Sequence, residues 1–172
     1  MINNYNINNI MKEWLDTEGP WKGEPQGNDF ICFSYKEYDY WVFRNQILGN
    51  WNGYIQIPEN ALTQDEIDDL DVHGGITYSG TADETAKEGH IVIGFDTAHI
   101  GKDILPFSCF FYNKVSAEIH NMACMICEAK KNNEKSEFYK NWMEEGTYKT
   151  FEWTKEECKR IIDQIILKLK EK

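Results

Sequence analysis

The apolar positions of this chain fall into two patterns. Short runs rich in aromatic and β-branched residues, bounded by turn formers, predict strands; longer runs with apolar residues three and four apart predict helices. Phe30-Ile31-Cys32-Phe33-Ser34-Tyr35 and Tyr40-Trp41-Val42-Phe43-Arg44 belong to the first kind and read as an antiparallel hairpin looped through Lys36-Glu37-Tyr38-Asp39. Asn50-Trp51-Asn52-Gly53 reads as a turn into a third strand, Tyr54-Ile55-Gln56-Ile57, which Pro58 closes. Ile76-Thr77-Tyr78 is a further strand, and His90-Ile91-Val92-Ile93-Gly94-Phe95 reads as central in the sheet.

Helical spacing appears over residues 7–16, ended by Gly19-Pro20, and again over 115–130. Thr63-Gln64-Asp65-Glu66 is a capping-box pattern that opens a short helix through Leu70. Thr154-Lys155-Glu156-Glu157 repeats that pattern ahead of an apolar face made by Cys158, Ile161, Ile162, Ile165, Ile166 and Leu169, which predicts a helix over 155–170 lying on the sheet. The expected fold is α+β: an antiparallel sheet with helices packed mainly on one face and the C-terminal helix on the sheet. A single domain over 1–172 is expected, with 107–146 as a candidate insertion.

Charge narrows the partners. The net charge is −11, and residues 59–90 hold nine carboxylates against one basic residue, Lys87. Such a surface repels phosphate backbones, so no nucleic-acid partner is expected. No apolar run is long enough to span a bilayer, and Met1-Ile2-Asn3-Asn4-Tyr5 lacks a basic segment followed by an apolar one, so neither membrane nor signal peptide is expected. The cysteines are odd in number and unpatterned, which suits reduced thiols in a cytoplasm. Cys124-Met125-Ile126-Cys127 with His120 has helical periodicity and no second cysteine pair, so it reads as a buried helix face.

The candidate chemistry lies in Asp71-Val72-His73-Gly74-Gly75-Ile76-Thr77-Tyr78-Ser79-Gly80 and Gly94-Phe95-Asp96-Thr97-Ala98-His99. Gly74 and Gly75 can take positive φ or let backbone amides approach an anion; the plainer reading is a tight turn into the next strand. Asp96 can orient a histidine, hold a ribose hydroxyl pair or cap the turn after its strand. His73, Asp96 and His99 together form a set able to bind zinc, iron or manganese, or to work as general acid and base without metal. Their spacing matches no specific metal motif, and neither metal nor cofactor is expected. Trp51, Tyr54 and Tyr78 can stack on a base or serve as core aromatics. Phosphate-loop, dinucleotide and nucleophile-elbow motifs are missing from the sequence.

Trp51-Asn52-Gly53-Tyr54, Pro58, the Val72-His73-Gly74-Gly75-Ile76-Thr77-Tyr78 run, Gly94-Phe95-Asp96-Thr97-Ala98-His99, Thr147-Tyr148-Lys149 and the terminal helix resemble an uncharacterised family of small bacteriophage-encoded proteins. The likeness covers residues 50–103 and 147–170. Thr97 stands where the family has cysteine, which argues against an essential thiol, and Asp103 follows His99 one residue later than the pattern has it.

The resemblance implies a phage accessory protein that defeats host immunity in the cytoplasm of an infected bacterium. The expected function is binding and sequestration of a nucleotide-derived immune signal of the cyclic oligonucleotide or cyclic ADP-ribose type. Its expected site is Trp51, Tyr54, His73, Gly74, Gly75, Thr77, Tyr78, Asp96 and His99. Gly74, Gly75 and Thr77 would receive phosphate, aromatics the base, and Asp96 hydroxyls or a ring nitrogen. A homo-oligomer is expected, because a pocket between subunits encloses more ligand. The alternatives are a hydrolase or lyase using His73, Asp96 and His99, and an acidic inhibitor that docks on a host protein.

Overall fold

The computed structural model describes residues 19–25, 30–45, 48–81, 86–99, 102–106 and 146–172. The helices expected over 7–16 and 115–130, with His120, Cys124 and Cys127, lie outside the described residues, as does nearly all of the candidate insertion. The chain divides into two compact units, one of Met1–Gly27, Asn45–Asn50 and Ala98–Thr150 and the other of Asn28–Arg44, Trp51–Thr97 and Phe151–Lys172.

The second unit is an α+β layer pair. Its strands are β1 (Ile31–Tyr35), β2 (Tyr38–Arg44), β3 (Trp51–Pro58), β4 (Tyr78–Gly80) and β5 (His90–Phe95); its helices are α1 (Gln64–Asp68) and α2 (Phe151–Lys170). The sheet is antiparallel at every pairing, in the order β1-β2-β3-β5-β4. β3, rather than β5, is therefore the middle strand, and β5 lies one strand in from the edge.

The hairpin turn is shorter than the four-residue loop expected. Tyr38 and Asp39 continue β2, leaving Lys36 (φ 48°) and Glu37 (φ 70°) as the loop. Two left-handed residues in succession match the twist of the flanking strands, as in a type I′ turn. Lys36 also reaches Asp163 of α2 at 2.8 Å. Neither residue is glycine, so both hold a conformation that side chains disfavour. Glu37→Gly is expected to raise stability by about 0.5–1 kcal/mol after the added freedom of the unfolded glycine is offset. A higher denaturation midpoint at unchanged slope checks it; a lower midpoint refutes it.

Strand alternation separates two faces. The register Phe33↔Tyr40↔Ile55↔Ile93 and Ile31↔Val42↔Gly53↔Phe95 lies toward α2. There α2 lays down Phe151, Cys158, Ile161, Ile162 and Ile165. Each of the three fully buried isoleucines contributes about 1.5–3 kcal/mol of transfer free energy. α2 starts at Phe151, ahead of the expected Thr154 cap, because Phe151 packs on Trp51 (4.9 Å) and Phe33 (6.1 Å). That burial draws an extra turn into the helix and leaves Thr154 buried inside it.

Gly53 is no turn glycine either. It sits within β3, where an added Cβ would run into the Phe95 ring and come within 2.6 Å of Cys158 Sγ. The capping box of α1 forms as expected: Thr63 Oγ1 accepts from Glu66 N–H, and the Glu66 carboxylate accepts from Thr63 N–H at 2.7 Å. Lys172 binds the same carboxylate at 2.8 Å, and with Thr63 it holds the Glu66 carboxyl down to about 2.

In the first unit, Trp21 stands edge-on to Tyr148 (5.5 Å), whose hydroxyl donates to Glu24. Asp103 and Thr147 form an isolated parallel bridge, and Leu105 packs with Leu48 and Ala98. Among the described residues no helix is long and apolar enough to cross a membrane.

Candidate functional site

The face of the sheet away from α2 is the notable surface of the second unit. Alternation puts Trp41, Phe43, Asn52, Tyr54, Gln56, Tyr78 and Gly94 on it. Part of it is crossed by the chain at Lys87, whose amide donates to Gln56 Oε1 (2.9 Å) and whose ammonium meets Asp39 (2.7 Å). The rest is an aromatic trough. Tyr54, half-buried, is its floor, with its ring laid against the bare backbone of Gly94. Phe30 is 51% exposed and inclined 60° to that ring at 5.8 Å; Tyr78 is 40% exposed and inclined 76° at 6.2 Å. Phe43 backs Phe30 in a stacked pair at 4.8 Å.

The β3–β5 register runs Tyr54↔Gly94 and ends at Gly53↔Phe95, with Asp96 the next residue after β5. Asn52 Nδ2 donates to the Tyr54 hydroxyl at 3.5 Å. Of the expected ligand-binding set, Tyr54 and Tyr78 therefore share one face. Phe30 and Phe43 join them, and sequence reading missed both: a phenylalanine at a strand end looks like core until the register shows which face is turned away from α2.

Trp51 departs from the stacking expectation. It is 1% exposed, on the α2 side, packed against Phe151 and under the Arg44 guanidinium at 4.2 Å. Its ring faces are spent on the core. Thr97 is buried as well, and its hydroxyl donates to the Trp51 carbonyl at 2.8 Å, tying the end of β5 to β3.

His73, Gly74 and Gly75 depart from the expectation in a different way. Gly74 (φ 71°) and Gly75 (φ 87°) do take the conformations that glycine permits, and Gly75 N–H closes a tight turn on the Val72 carbonyl at 2.9 Å. The turn is docked on α2, away from the trough. His73 N–H donates to Glu157 Oε1 (3.0 Å), and the imidazole stands edge-on to Trp153 at 5.3 Å. Arg160 donates to both Glu157 oxygens at 2.8 Å and to the carboxylate and carbonyl of Asp71 at 2.7 Å. Gln164 pairs with the Asp71 backbone through Asp71 N–H (2.9 Å) and the Asp71 carbonyl (2.8 Å). Residues 157, 160 and 164 form one ridge of α2, three and then four residues apart.

This geometry engages three of the amides around the expected phosphate cradle within the protein. The His73 amide serves Glu157, the Gly75 amide serves Val72, and the Thr77 amide donates to the Gly94 carbonyl at 2.8 Å. The anion bound by this turn is the protein's own carboxylate. Burial opposes ionisation of Glu157, but the Arg160 hydrogen bonds and the His73 amide outweigh it and hold the carboxyl below the usual glutamate value.

In the first unit, His99 is oriented by Asp103. The buried carboxylate accepts from His99 N–H (3.0 Å) and lies 2.8 Å from Nδ1. A carboxylate there selects the Nδ1–H tautomer and makes Nε2 the acceptor nitrogen, the arrangement of an oriented general base or metal ligand. Asp103, which the expected site left out, is thus bonded to an imidazole. Its signal in the sequence was the separation of four residues, which one turn of chain brings together.

Comparison with known proteins adds little to this geometry. No family model matches the chain, and no solved structure matches it. The chain is similar to the ATP synthase gamma chain of Corynebacterium jeikeium (strain K411), 35% identical over 108 residues that make up 58% of this chain and 32% of that protein. The chain thus spans about a third of the length of the curated relative it matches. A likeness of that extent assigns no family.

Proposed function

We propose that this chain is a binding protein for a small nucleotide-derived ligand, which it holds by stacking the base in the trough of Phe30, Tyr54 and Tyr78. The observation that carries this reading is the exposure of Phe30 (51%) and Tyr78 (40%) on either side of Tyr54, on a sheet face without the helix. Exposed rings grouped in this way cost solvation unless a partner covers them. Asp96, the residue after β5, takes a ribose hydroxyl or ring N–H. The His73 imidazole lies on the α2 side, so the trough stacks its ligand without that acid–base group. In the setting that the resemblance implies, a phage protein inside an infected bacterium, such binding withdraws an immune signal from its receptor. A second reading, cleavage of the same ligand class with His99 as general base, is favoured by the Asp103–His99 pair.

The two readings separate in one experiment. The protein is incubated with a panel of cyclic oligonucleotides and cyclic ADP-ribose isomers, denatured by heat, and the supernatant chromatographed. Sequestration returns a depleted ligand intact; cleavage returns it altered. Tyr54→Leu and Tyr78→Leu are each expected to weaken capture about tenfold, the typical value of a base–aromatic stack, with the fold retained by circular dichroism. Unchanged capture in both variants would remove the trough from the site.

A further inference from the structure

We infer that the outer edge of β1 is an interface: a second copy of this chain adds its own β1 there, antiparallel about a two-fold axis, and joins the two five-stranded sheets into one. The inference stands apart from the ligand reading. Its first ground is where the β1 backbone points. In an antiparallel pair, residues alternate between those bonded to the partner strand and those whose N–H and C=O face away from it. The two-residue turn closes on Tyr35↔Tyr38, which makes Tyr35, Phe33 and Ile31 the bonded positions. The Ser34–Asp39 pair agrees, for its side chains meet at 2.7 Å, as those of the closer, non-bonded pairs do. The N–H and C=O groups of Cys32 and Ser34 are therefore aimed off the sheet. Both residues are exposed, and β2 is the neighbour of β1 among the described strands.

The second ground is symmetry. Cys32 and Ser34 flank Phe33 equally. A two-fold axis at Phe33 sets Cys32 of either copy opposite Ser34 of the other, and each such pair exchanges both its bonds. Directly opposed residues then share a face, so the side chains of the two copies match as well. A strand that complements itself in this way selects a second copy as its occupant.

The third ground is charge. Sheet edges are commonly protected by a charge, a proline or a bulge; Ile31-Cys32-Phe33-Ser34-Tyr35 pairs in unbroken register and contains neither charge nor proline. The lysines that reach its rings from the turn and from α2 are each matched by a carboxylate: Lys36 by Asp163, Lys155 by Glu152 and Lys159 by Glu156. Two chains that each carry −11 can thus meet here across neutral ground. The opposite edge offers less, since β4 is three residues long and ends in Gly80.

Sedimentation equilibrium of the intact chain over a dilution series tests the inference. Twice the chain mass is expected at the concentrated end, falling to the chain mass on dilution. In this register the two Cys32 residues are diagonal neighbours on one face, about 7–8 Å apart. A short thiol-to-thiol cross-linker is therefore expected to join the copies, and Cys32→Ser to abolish the link. Ser34→Pro removes an outward N–H and leaves the β1–β2 ladder its bonds; it is expected to give a monomer with the circular dichroism of the parent. The chain mass throughout the series overturns the inference. So does a dimer that is not linked through Cys32, whether or not Ser34→Pro folds, because its interface lies elsewhere. A folded Ser34→Pro variant that still dimerises like its parent overturns it too.

Discussion

Gly53→Ala is expected to destabilise the protein by about 2–3 kcal/mol and lower its melting temperature by roughly 5–10 °C for a chain of this size. Glycine in the middle strand of a sheet normally weakens it, because it brings no side chain and loses more backbone freedom than other residues. Here the missing Cβ is what lets α2 approach. The volume it would occupy holds the Phe95 ring and Cys158 Sγ, the latter 2.6 Å from the new atom. Both are buried, Phe95 among the β5 side chains and Cys158 between Phe151 and Ile161 of the buried helix face, so neither has space to retreat.

Cys158→Ala should recover part of the loss in the double variant, since it empties half of the clash. Gly94→Ala makes the contrast. Its Cβ would meet the Tyr54 ring on the face away from α2 and come within 3.1 Å of the Gly53 carbonyl. It should cost about 1–3 kcal/mol and, unlike Gly53→Ala, disturb the trough floor and weaken ligand capture. Denaturant midpoints of the four proteins check the set; a Gly53→Ala variant as stable as its parent would show that α2 is not seated on β3 as described.

Glu157→Leu is the second substitution with a large expected effect, a loss of about 2 kcal/mol. Its carboxylate is 7% exposed and gathers the His73 amide and the Arg160 guanidinium. Without it a backbone N–H loses its acceptor, and an arginine that also carries Asp71 loses its anchor. The figure stands below the 3–5 kcal/mol of a fully buried pair because the Arg160 side chain is 43% exposed and partly solvated.

The same carboxylate makes stability depend on pH. Its folded value lies below its unfolded one, so its contribution is complete above the usual glutamate range and is lost as pH falls through the lower folded value. Denaturation at neutral and at acid pH should therefore show a gap between parent and Glu157→Leu that narrows in acid. His73→Ala is the control. The bond to Glu157 is made by the backbone of residue 73, so removing the imidazole should leave most of this stability in place; an equal loss in both variants would shift the anchoring role to the ring.

Much of the fold is legible in the sequence because strand and helix periods are local. The runs from Phe30 to Arg44 and from His90 to Phe95, the Thr63–Glu66 capping box and the apolar face of 158–165 all appear where the pattern sets them. Errors cluster where a residue's conformation answers to a distant neighbour. Gly53 and Asn52 have turn composition but lie in a strand, because Cys158, more than a hundred residues on, needs the vacant volume. Thr154 has the composition of a cap but lies inside the helix, because Phe151 finds Trp51 and Phe33.

The candidate site was legible in part for the same reason. Its residue types stand in the sequence, but period-two alternation sends successive side chains to opposite faces. Trp51 and Tyr54, three residues apart, consequently part company, one into the core and one into the trough. What the sequence alone determines is the set of elements, their α+β class and a pool of polar and aromatic residues near the glycines. What the tertiary structure decides is membership. α2 covers one face of the sheet and takes Trp51 and the His73 turn to its own side, and the opposite face keeps Phe30, Tyr54 and Tyr78. The physical reason is that periodicity assigns a side chain to a face, whereas only long-range packing assigns that face to the core or to water.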